Sequence, residues 1–332
     1  MSTRRMKAVV CNSYQSQEQL HVQETAAPAL RDFSVRIQTK YASINGPDLL
    51  MPLGLYQVRP EPPFTLGIEA MGIVTECGKG VTDLHPGQRV MTYVGQGCFA
   101  EQIVAPRKSV APVPEGMSDV DAAGFILVYS TAYHALVDCG RVQAGDTVLV
   151  SGASGGIGIP AIQIAKAKGA TVIAAAGSSE KMQACKDEGA DYAIESRGDI
   201  VGAVREIVGR QGVNVILDVV GGDFTEQALR TIAPYGRHLI TGYASGQVPM
   251  IKGNLVLLKQ AQLIGVSYRL MLERAPEEAA RNLNELCRMF ESGLLRPRTS
   301  AVYPLEQIEV ALSLVRQRQV IGKVALEVSD ET

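Results

Sequence analysis

A glycine-rich turn is the part of this sequence best suited to hold a ligand through its backbone. The glycines of the turn are Gly152, Gly155, Gly156 and Gly158. They follow an apolar predicted strand over 147–151 and precede a predicted helix over Ile159–Lys168. Glycine allows a tight turn and close ligand approach, and the free amides at a helix N-terminus bind a pyrophosphate. The spacing G-x-x-G-G-x-G departs from G-x-G-x-x-G, and a flexible Gly/Ser loop is the alternative. The strand–helix–strand setting favours a dinucleotide-binding turn.

The end of the next predicted strand, 171–176, indicates which dinucleotide binds. NAD sites usually have an Asp or Glu there for the ribose 2′-hydroxyl. Here the strand is followed instead by Gly177, Ser178 and Lys181. Hydroxyl donors and a cation suit a 2′-phosphate, so the cofactor prediction is NADPH. Glu180 could pair with a ribose, although a Glu in the first turn after a serine cap is also typical of a helix start.

Composition excludes several classes of function. The chain is 46% hydrophobic and 20% charged, with a formal net charge of −2, which gives no field suited to nucleic acid or to an anionic membrane. Its longest apolar run, Phe125–Val137, is interrupted by polar residues, so we expect no membrane span. The six cysteines lack C-x-x-C spacing and the four histidines lack ligand spacing. We therefore expect a cytoplasmic protein with reduced thiols, no metal and no catalytic cysteine.

The surrounding elements predict an α/β protein of two domains. Over 126–267, strands alternate with helices, which is typical of a doubly wound parallel (Rossmann-type) sheet. Over 1–125, short alternating segments separated by turn formers predict a β-rich, partly open barrel. The β content of 268–332 predicts that the tail returns to complete this first domain.

Several short motifs occur in an order that resembles a known family. They are Met6–Val10, Ser43–Asp48, Gly54–Tyr56, Gly67–Gly72, Gly87–Val90, Ser130–Tyr133 and Gly322–Lys323. Together with the domain order, they resemble the medium-chain dehydrogenase/reductase superfamily over essentially the whole chain. Within it, they are most similar to the zinc-free quinone oxidoreductase branch. The resemblance implies that the β-rich domain is GroES-like.

The superfamily's zinc enzymes bind catalytic zinc through Cys, His and a third Cys or carboxylate. The matching positions here carry Asn45, Ile68 and an apolar stretch near Leu127, and 93–99 is too short for the four-cysteine structural lobe. Isoleucine and leucine cannot ligate a metal. The resemblance therefore implies hydride transfer to an acceptor that is already electron-poor, without zinc.

The resemblance also implies site residues. We expect three residues in the substrate cleft to act catalytically: Asn45, Tyr56 and Tyr129. The expected cofactor contacts are Asn45, Thr131, Ser154, Gly155, Gly156, Ile157, Gly177, Ser178, Lys181, Ser196, Arg197, Thr241, Gly242, Tyr243 and Lys323. In many relatives a tyrosine stands where this chain has Ser196. Asn45 has a simpler explanation as well, because Asn-Gly-Pro-Asp is a common turn sequence.

The function implied is an NADPH-dependent, NADPH:quinone oxidoreductase-like enzyme. It would transfer hydride to a quinone or an α,β-unsaturated carbonyl compound, so the partner is a small, hydrophobic, electron-poor substrate. An enoyl-thioester reductase of enoyl-CoA or polyketide type is the first alternative, and a non-enzymatic NADPH-binding protein is the second. The resemblance further implies a homodimer formed by edge pairing through Gln262–Ser267.

Overall fold

The computed structural model describes residues 5–14 and 20–329, so the outermost ends of the predicted 1–125 and 268–332 segments lie outside it. The strands are β1 Arg5–Cys11, β2 Val22–Ala26, β3 Ser34–Ser43, β4 Phe64–Thr65, β5 Glu69–Cys77, β6 Arg89–Tyr93, β7 Gln102–Pro106, β8 Val110–Pro112, β9 Thr147–Val150, β10 Thr171–Ala176, β11 Tyr192–Glu195, β12 Val213–Asp218, β13 Ile232–Ile240, β14 Gln262–Gly265, β15 Thr299–Pro304 and β16 Lys323–Glu327. The helices are α1 Gly46–Leu50, α2 Asp119–Ala122, α3 Ile126–Tyr133, α4 Gly158–Ala167, α5 Ser179–Asp187, α6 Ile200–Val208, α7 Asp223–Arg230, α8 Gly253–Lys259, α9 Tyr268–Arg274, α10 Pro276–Glu291 and α11 Ile308–Arg316. A π-helical turn over His134–Cys139 continues α3, and short 3-10 turns cover Met51–Leu53, Arg107–Ser109 and Leu305–Gln307.

The chain forms two compact units, and unit 2 (Val128–Pro297) contains a parallel sheet. Its strand order is β11-β10-β9-β12-β13-β14, and every neighbouring pair is parallel. The central strands are apolar and fully buried because helices cover both faces of such sheets. The carboxyl ends of β9, β10, β12 and β13 share one edge of the sheet, where ligands bind in doubly wound folds. This confirms the predicted Rossmann-type α/β fold.

Unit 1 (Met1–Leu127 with Arg298–Thr332) is rich in β structure. A seven-stranded sheet has the order β15-β16-β3-β5-β6-β8, with β7 pairing to β3, and a three-stranded sheet has the order β2-β1-β4. The C-terminal strand β16 pairs antiparallel with β3, so the predicted return of the tail to the first domain brings Lys323 beside the end of β3. The larger apolar cluster of this unit has Ile37, Ile68, Phe99 and Leu326 among its buried members, and a smaller cluster contains Met6, Ala8, Val10 and Ala100.

The chain passes from unit 1 to unit 2 and back again, and the second of these boundaries differs from the predicted one. The first crossing lies after Leu127, two residues beyond 125, but the second lies after Pro297 instead of 267. The amphipathic helix α10 packs within unit 2, where Asn282 Nδ2 donates to Asp138 Oδ2 at 2.7 Å. Arg296 is held there too, because its N–H donates to Gln163 Oε1 at 3.0 Å and its carbonyl accepts from Gln163 Nε2 at 2.9 Å. These contacts keep 268–297 with the parallel sheet.

Among the described residues, no helix is long and apolar enough to cross a membrane.

Candidate cofactor and substrate sites

The glycine turn forms a backbone cradle at the carboxyl end of β9. A Cβ on Gly158 would lie 2.4 Å from the carbonyl oxygens of Gly152 and Ala153, so only glycine fits at the start of α4. Gly152 has φ +56, and a Cβ there would lie 2.8 Å from Val219 Cγ2. The Gly155 N–H donates to Gly152 O at 2.9 Å, which closes the turn. In the first turn of α4, the Ile159 N–H donates to Gly155 O at 3.1 Å and the Ala161 N–H donates to Ile157 O at 3.0 Å, while Pro160 has no N–H. A pyrophosphate would therefore be held by amides that precede Ile159, where the missing side chains leave space.

The predicted ribose-phosphate residues meet at the end of β10. Gly177 follows the strand, and a Cβ on it would lie 3.7 Å from Ser196 Oγ. The two strand ends are joined because Ser196 N–H donates to Ala176 O at 2.8 Å. Ser178 caps α5, its Oγ accepting the Lys181 N–H at 3.3 Å. This edge thus brings together two hydroxyls and the lysine, with Arg197 adjacent to Ser196 in the chain.

The segment after β13 has a buried hydroxyl without a hydrogen-bond partner. Thr241 N–H donates to Asp218 O at 2.8 Å, which fixes its backbone beside the end of β12. Its Oγ1 is buried and makes no hydrogen bond to any described residue. Tyr243 lies close to Gly221, where a Cβ would approach its ring to 2.8 Å. An orphaned hydroxyl at the ligand-binding edge of the sheet fits a ligand that supplies the missing partner.

A buried group of polar side chains holds this edge in place, and we call it the Asp218 cluster. Its members are Ser151, Asp218, Thr225 and His238. Asp218 Oδ1 accepts from Ser151 Oγ at 3.1 Å and from the Val220 and Gly221 N–H groups at 3.0 Å each. Asp218 Oδ2 lies 2.5 Å from Thr225 Oγ1 and 3.2 Å from His238 Nε2. Burial raises the pKa of Asp218, but these hydrogen bonds outweigh burial and lower it below its ordinary value.

Tyr129 and Thr131, both in unit 2, are buried, at 2% and 7% exposed. The Tyr129 hydroxyl donates to Gln163 Oε1 at 3.0 Å, inside unit 2. A catalytic role for Tyr129 stays a prediction, and it would require a substrate to displace Gln163 from this hydroxyl.

Unit 1 has a second buried polar group, which we call the Asn45 cluster. Its members are Asn45, Asp48, Glu69 and Lys323. Asn45 Nδ2 donates to Ser43 O at 3.0 Å and to Glu69 Oε2 at 3.2 Å, and its Oδ1 accepts from Lys323 Nζ at 2.5 Å. Both amide hydrogens are therefore engaged within the unit. Asn45 is also the residue that precedes α1, where the Asn-Gly-Pro-Asp sequence indicated a turn. Its backbone N–H donates to Asp48 Oδ2 at 2.8 Å, which joins the two ends of this turn.

Lys323, expected at the cofactor, lies in unit 1 and binds the end of β3. Its side chain is buried, and Nζ donates to Ile44 O at 2.7 Å as well as to Asn45. The remaining cofactor contacts that the resemblance implied, apart from Asn45 and Lys323, are all in unit 2. Tyr56 is partly buried against the unit 1 core.

The Asn45 cluster contains two carboxyls and one amine, all away from water. Burial raises the pKa of Asp48 to about 7 and raises that of Glu69, while Lys323 opposes both shifts. Burial lowers the pKa of Lys323, and the two carboxylates oppose this. Glu69 Oε1 also accepts the Leu127 N–H at 2.7 Å. The arrangement holds Asn45 between a cation and an anion, so its amide orientation is determined.

Sequence reasoning did not select Asp48 or Glu69 as site residues. The sequence signal that could have found them was a carboxylate with apolar neighbours, in a turn for Asp48 and at the start of a strand for Glu69. At the zinc-matching positions, Ile68 is buried in the unit 1 core and Leu127 packs against it. Among the described residues, no three His, Cys, Asp or Glu side chains form a group that could hold a metal ion.

Comparisons with known proteins match both parts of the chain. Residues 31–115 match the family described as alcohol dehydrogenase GroES-like domain, and residues 156–285 match the family described as zinc-binding dehydrogenase. Quinone oxidoreductase-like protein 2 of Rattus norvegicus is 35% identical over 98% of this chain and 93% of its own length.

Structural and sequence relatives include enzymes with different acceptors. Escherichia coli quinone oxidoreductase, solved in complex with NADPH, superposes with a TM-score of 0.89 at 27% identity, covering 97% of this chain and 99% of that one. Highly-reducing polyketide synthase 1 of Aureobasidium melanogenum is 30% identical over 98% of this chain, which spans 15% of that protein.

Proposed function

The chain belongs to the quinone oxidoreductase branch of the medium-chain dehydrogenase/reductase superfamily, and from this premise we propose that it is an NADPH-dependent reductase that works without zinc. Its acceptor would be a quinone or an α,β-unsaturated carbonyl compound that is small and hydrophobic. The family supports an oxidoreductase with a nicotinamide cofactor. The choice of NADPH and of the acceptor class is our proposal.

The end of β10 is the observation that carries the cofactor proposal. Strand β10 ends at Ala176 without a carboxylate, Ser178 and Lys181 follow it in the chain, and Ser196 N–H donates to Ala176 O with Arg197 next in sequence. A ribose 2′-hydroxyl would gain little binding energy from these hydroxyl and cationic side chains, whereas a 2′-phosphate would gain charge-assisted hydrogen bonds. The glycine cradle and the orphaned Thr241 hydroxyl, described above, are consistent with the pyrophosphate and the rest of the cofactor at the same sheet edge.

The residues of the chain would act by binding and positioning. When bound, NADPH supplies the hydride. The amides of the glycine turn that precede Ile159 would hold its pyrophosphate, and the Asp218 cluster would keep the loop after β12 in place. Because both Asn45 amide hydrogens are engaged, a donor role toward substrate would require Asn45 to release Ser43 or Glu69. Tyr56 therefore remains our candidate donor to the oxygen that gains charge as the acceptor is reduced.

Turnover tests the proposal most directly. NADPH oxidation would be followed by absorbance with a panel of quinones, enones and enoyl-CoA esters. We expect turnover with quinones or enones. Preferential turnover of enoyl-CoA esters would favour the enoyl-thioester alternative, which the similarity to a polyketide synthase supports. Saturable NADPH binding without turnover of any acceptor would leave the non-enzymatic alternative.

Cofactor choice is tested on helix α5. Lys181→Ala should raise the KM for NADPH about tenfold through loss of a charged phosphate contact, with little change for NADH. Lys186→Ala, at an exposed position in the last turn of the same helix, is the matched control and should change neither. Equal losses for both cofactors in Lys181→Ala would overturn the NADPH assignment.

We also propose that the chain forms a homodimer through the edge of the unit 2 sheet. β14 is the terminal strand in the sheet order, and the helix before it exposes Leu257 at 76% and Leu258 at 75%. An unpaired edge beside exposed leucines suits a second copy of the same edge. Light scattering should give twice the chain mass, and Leu258→Glu should shift it toward one. A monomeric unmodified protein would overturn this proposal.

A further inference from the structure

The turn after α3 places a cysteine, a histidine and an aspartate in contact. In the π-helical turn His134–Cys139, residues five apart lie one above the other, so Cys139 Sγ is 3.6 Å from His134 Nε2. On the other side of the ring, His134 Nδ1 lies 2.8 Å from Asp138 Oδ2. All of these residues belong to unit 2.

Helix α10 holds the aspartate in position. Asn282 Nδ2 donates to the same Asp138 oxygen at 2.7 Å, so Asp138 is oriented by a neutral donor on one side and the imidazole on the other. The arrangement of a thiol, a base and an orienting carboxylate is the one that activates nucleophilic cysteines.

The electrostatic environment keeps the histidine charged. The hydrogen bonds that the His134 ring makes to Asp138 and Cys139 raise the pKa of His134 to about 9. Other charged groups near this turn act on Tyr133: Glu285 and Arg288 of α10, and Lys168, whose Nζ lies 5.6 Å from the ring centre. At neutral pH, His134 thus carries protons on both ring nitrogens and can donate the Nε2 proton to a thiolate.

The other five cysteines lack this arrangement. Burial raises the pKa of Cys11, of Cys98 and, to about 11, of Cys287. Cys77 Sγ bonds to the Leu84 carbonyl, and Cys185 is fully buried. Cys139 is partly exposed and is the one cysteine with an imidazole at its sulfur among the described hydrogen bonds.

We propose that Cys139 is a nucleophilic modification site that takes electron-poor alkenes conjugated to a carbonyl group. The thiolate sulfur forms a bond to the β-carbon, the carbon–carbon π bond breaks, and its electrons move to the carbonyl oxygen as an enolate. The proton from His134 Nε2 or from water neutralises the enolate, so the step needs no oxidant or reductant. The site is separate from the cofactor contacts and does not rest on the proposed function.

N-ethylmaleimide, a conjugated alkene, is the probe. The whole protein is treated briefly, quenched with thiol, unfolded, capped with isotope-labelled reagent and analysed by peptide mass spectrometry, which gives one rate for each cysteine. At about pH 6 we expect Cys139 to react at least about tenfold faster than Cys77, because an ordinary thiol has very little thiolate there.

Variants test the role of the histidine. His134→Gln should lower the Cys139 rate at about pH 6 by about tenfold, and Asp138→Asn should lower it less. His85→Gln, an exposed histidine in unit 1, is the matched control and should leave the rate unchanged. The proposal is overturned if Cys139 in the unmodified protein reacts no faster than Cys77 at about pH 6. This criterion is measured on the unmodified protein, so it applies even if His134→Gln fails to fold.

Discussion

The aspartates of the two buried polar clusters differ in how many hydrogen bonds they accept. Asp218 in unit 2 receives five hydrogen bonds, two from backbone amides and three from side chains. Asp48 in unit 1 accepts a hydrogen bond from the Asn45 N–H at 2.8 Å and interacts less strongly with the Gly67 backbone, and its Oδ1 is buried without a hydrogen-bond partner among the described residues. Both side chains are removed from water, at 1% and 0% exposed.

Because both carboxyls are equally buried, the number of hydrogen-bond donors explains why their pKa values shift in opposite directions. Burial raises the pKa of both, but for Asp218 the hydrogen bonds exceed that effect and its pKa is lowered. For Asp48 burial prevails, and its pKa rises to about 7. The Asp218 cluster therefore acts as a fixed anion at the carboxyl edge of the unit 2 sheet, whereas the Asn45 cluster gains or loses a proton near neutral pH.

Removing the cation of the Asn45 cluster should have the largest effect. Lys323→Met leaves Glu69 and Asp48 buried without a counter-ion, and we expect unit 1 to lose about 3–5 kcal/mol of stability. Hydrogen exchange of peptides from β3, β5 and β16 measures this locally. Adding Glu69→Gln to Lys323→Met should recover part of the loss, because it removes one uncompensated charge. A loss below about 1 kcal/mol would mean that the cluster is not held by its charges.

Neutralising Asp218, the fixed anion, should have the second-largest effect on stability. Asp218→Asn places an NH₂ group against donors of the Asp218 cluster, and we expect unit 2 to lose about 3 kcal/mol at neutral pH. The lowered pKa of Asp218 stabilises the fold above its ordinary value of 3.8, and that stability is lost as pH falls through the folded value. The penalty of Asp218→Asn should accordingly shrink in acid. Exchange in β9, β12 and β13 provides the measurement, and a penalty that does not vary with pH would contradict the fixed-anion interpretation.

The glycine turn and the strand ends of unit 2 were predictable from the sequence, whereas the Asn45 cluster was not, for a physical reason. Glycine turns and strand ends are local, so Gly152–Gly158 and the Ser178 cap could be read from adjacent residues. Lys323 and Asn45 are 278 residues apart, and their bond depends on β16 pairing with β3. Likewise, the packing of α10 within unit 2 depends on contacts such as Asn282 with Asp138, so the division between the units lies after Pro297, thirty residues beyond the predicted 267.

The protonation of Asp48 predicts a pH dependence of the opposite sign. Because its folded pKa of about 7 lies above the ordinary 3.8, the folded protein holds more protons than the unfolded chain between these values. Stability from this group is therefore full below 3.8 and falls as pH rises toward 7. Asp48→Asn should leave stability unchanged near pH ~4 and increase it by about 2 kcal/mol near pH ~8. Exchange in unit 1 peptides at several pH values checks this, and a constant difference between variant and unmodified protein would exclude titration of Asp48.

The smallest effect isolates one hydrogen bond of the Asp218 cluster by comparing two buried threonines. Thr225 Oγ1 donates to the Asp218 carboxylate at 2.5 Å, whereas Thr231 Oγ1 donates to the neutral Ala228 carbonyl at 2.7 Å. Hydrogen bonds to charged groups contribute more, so Thr225→Val should cost about 2 kcal/mol and Thr231→Val about 1 kcal/mol. The Thr225→Val cost should also diminish as Asp218 is protonated in acid, while the Thr231→Val cost should not. Equal costs with the same pH dependence would show that the charge of Asp218 does not strengthen its hydrogen bonds, and donors could then not explain the contrast between the two clusters.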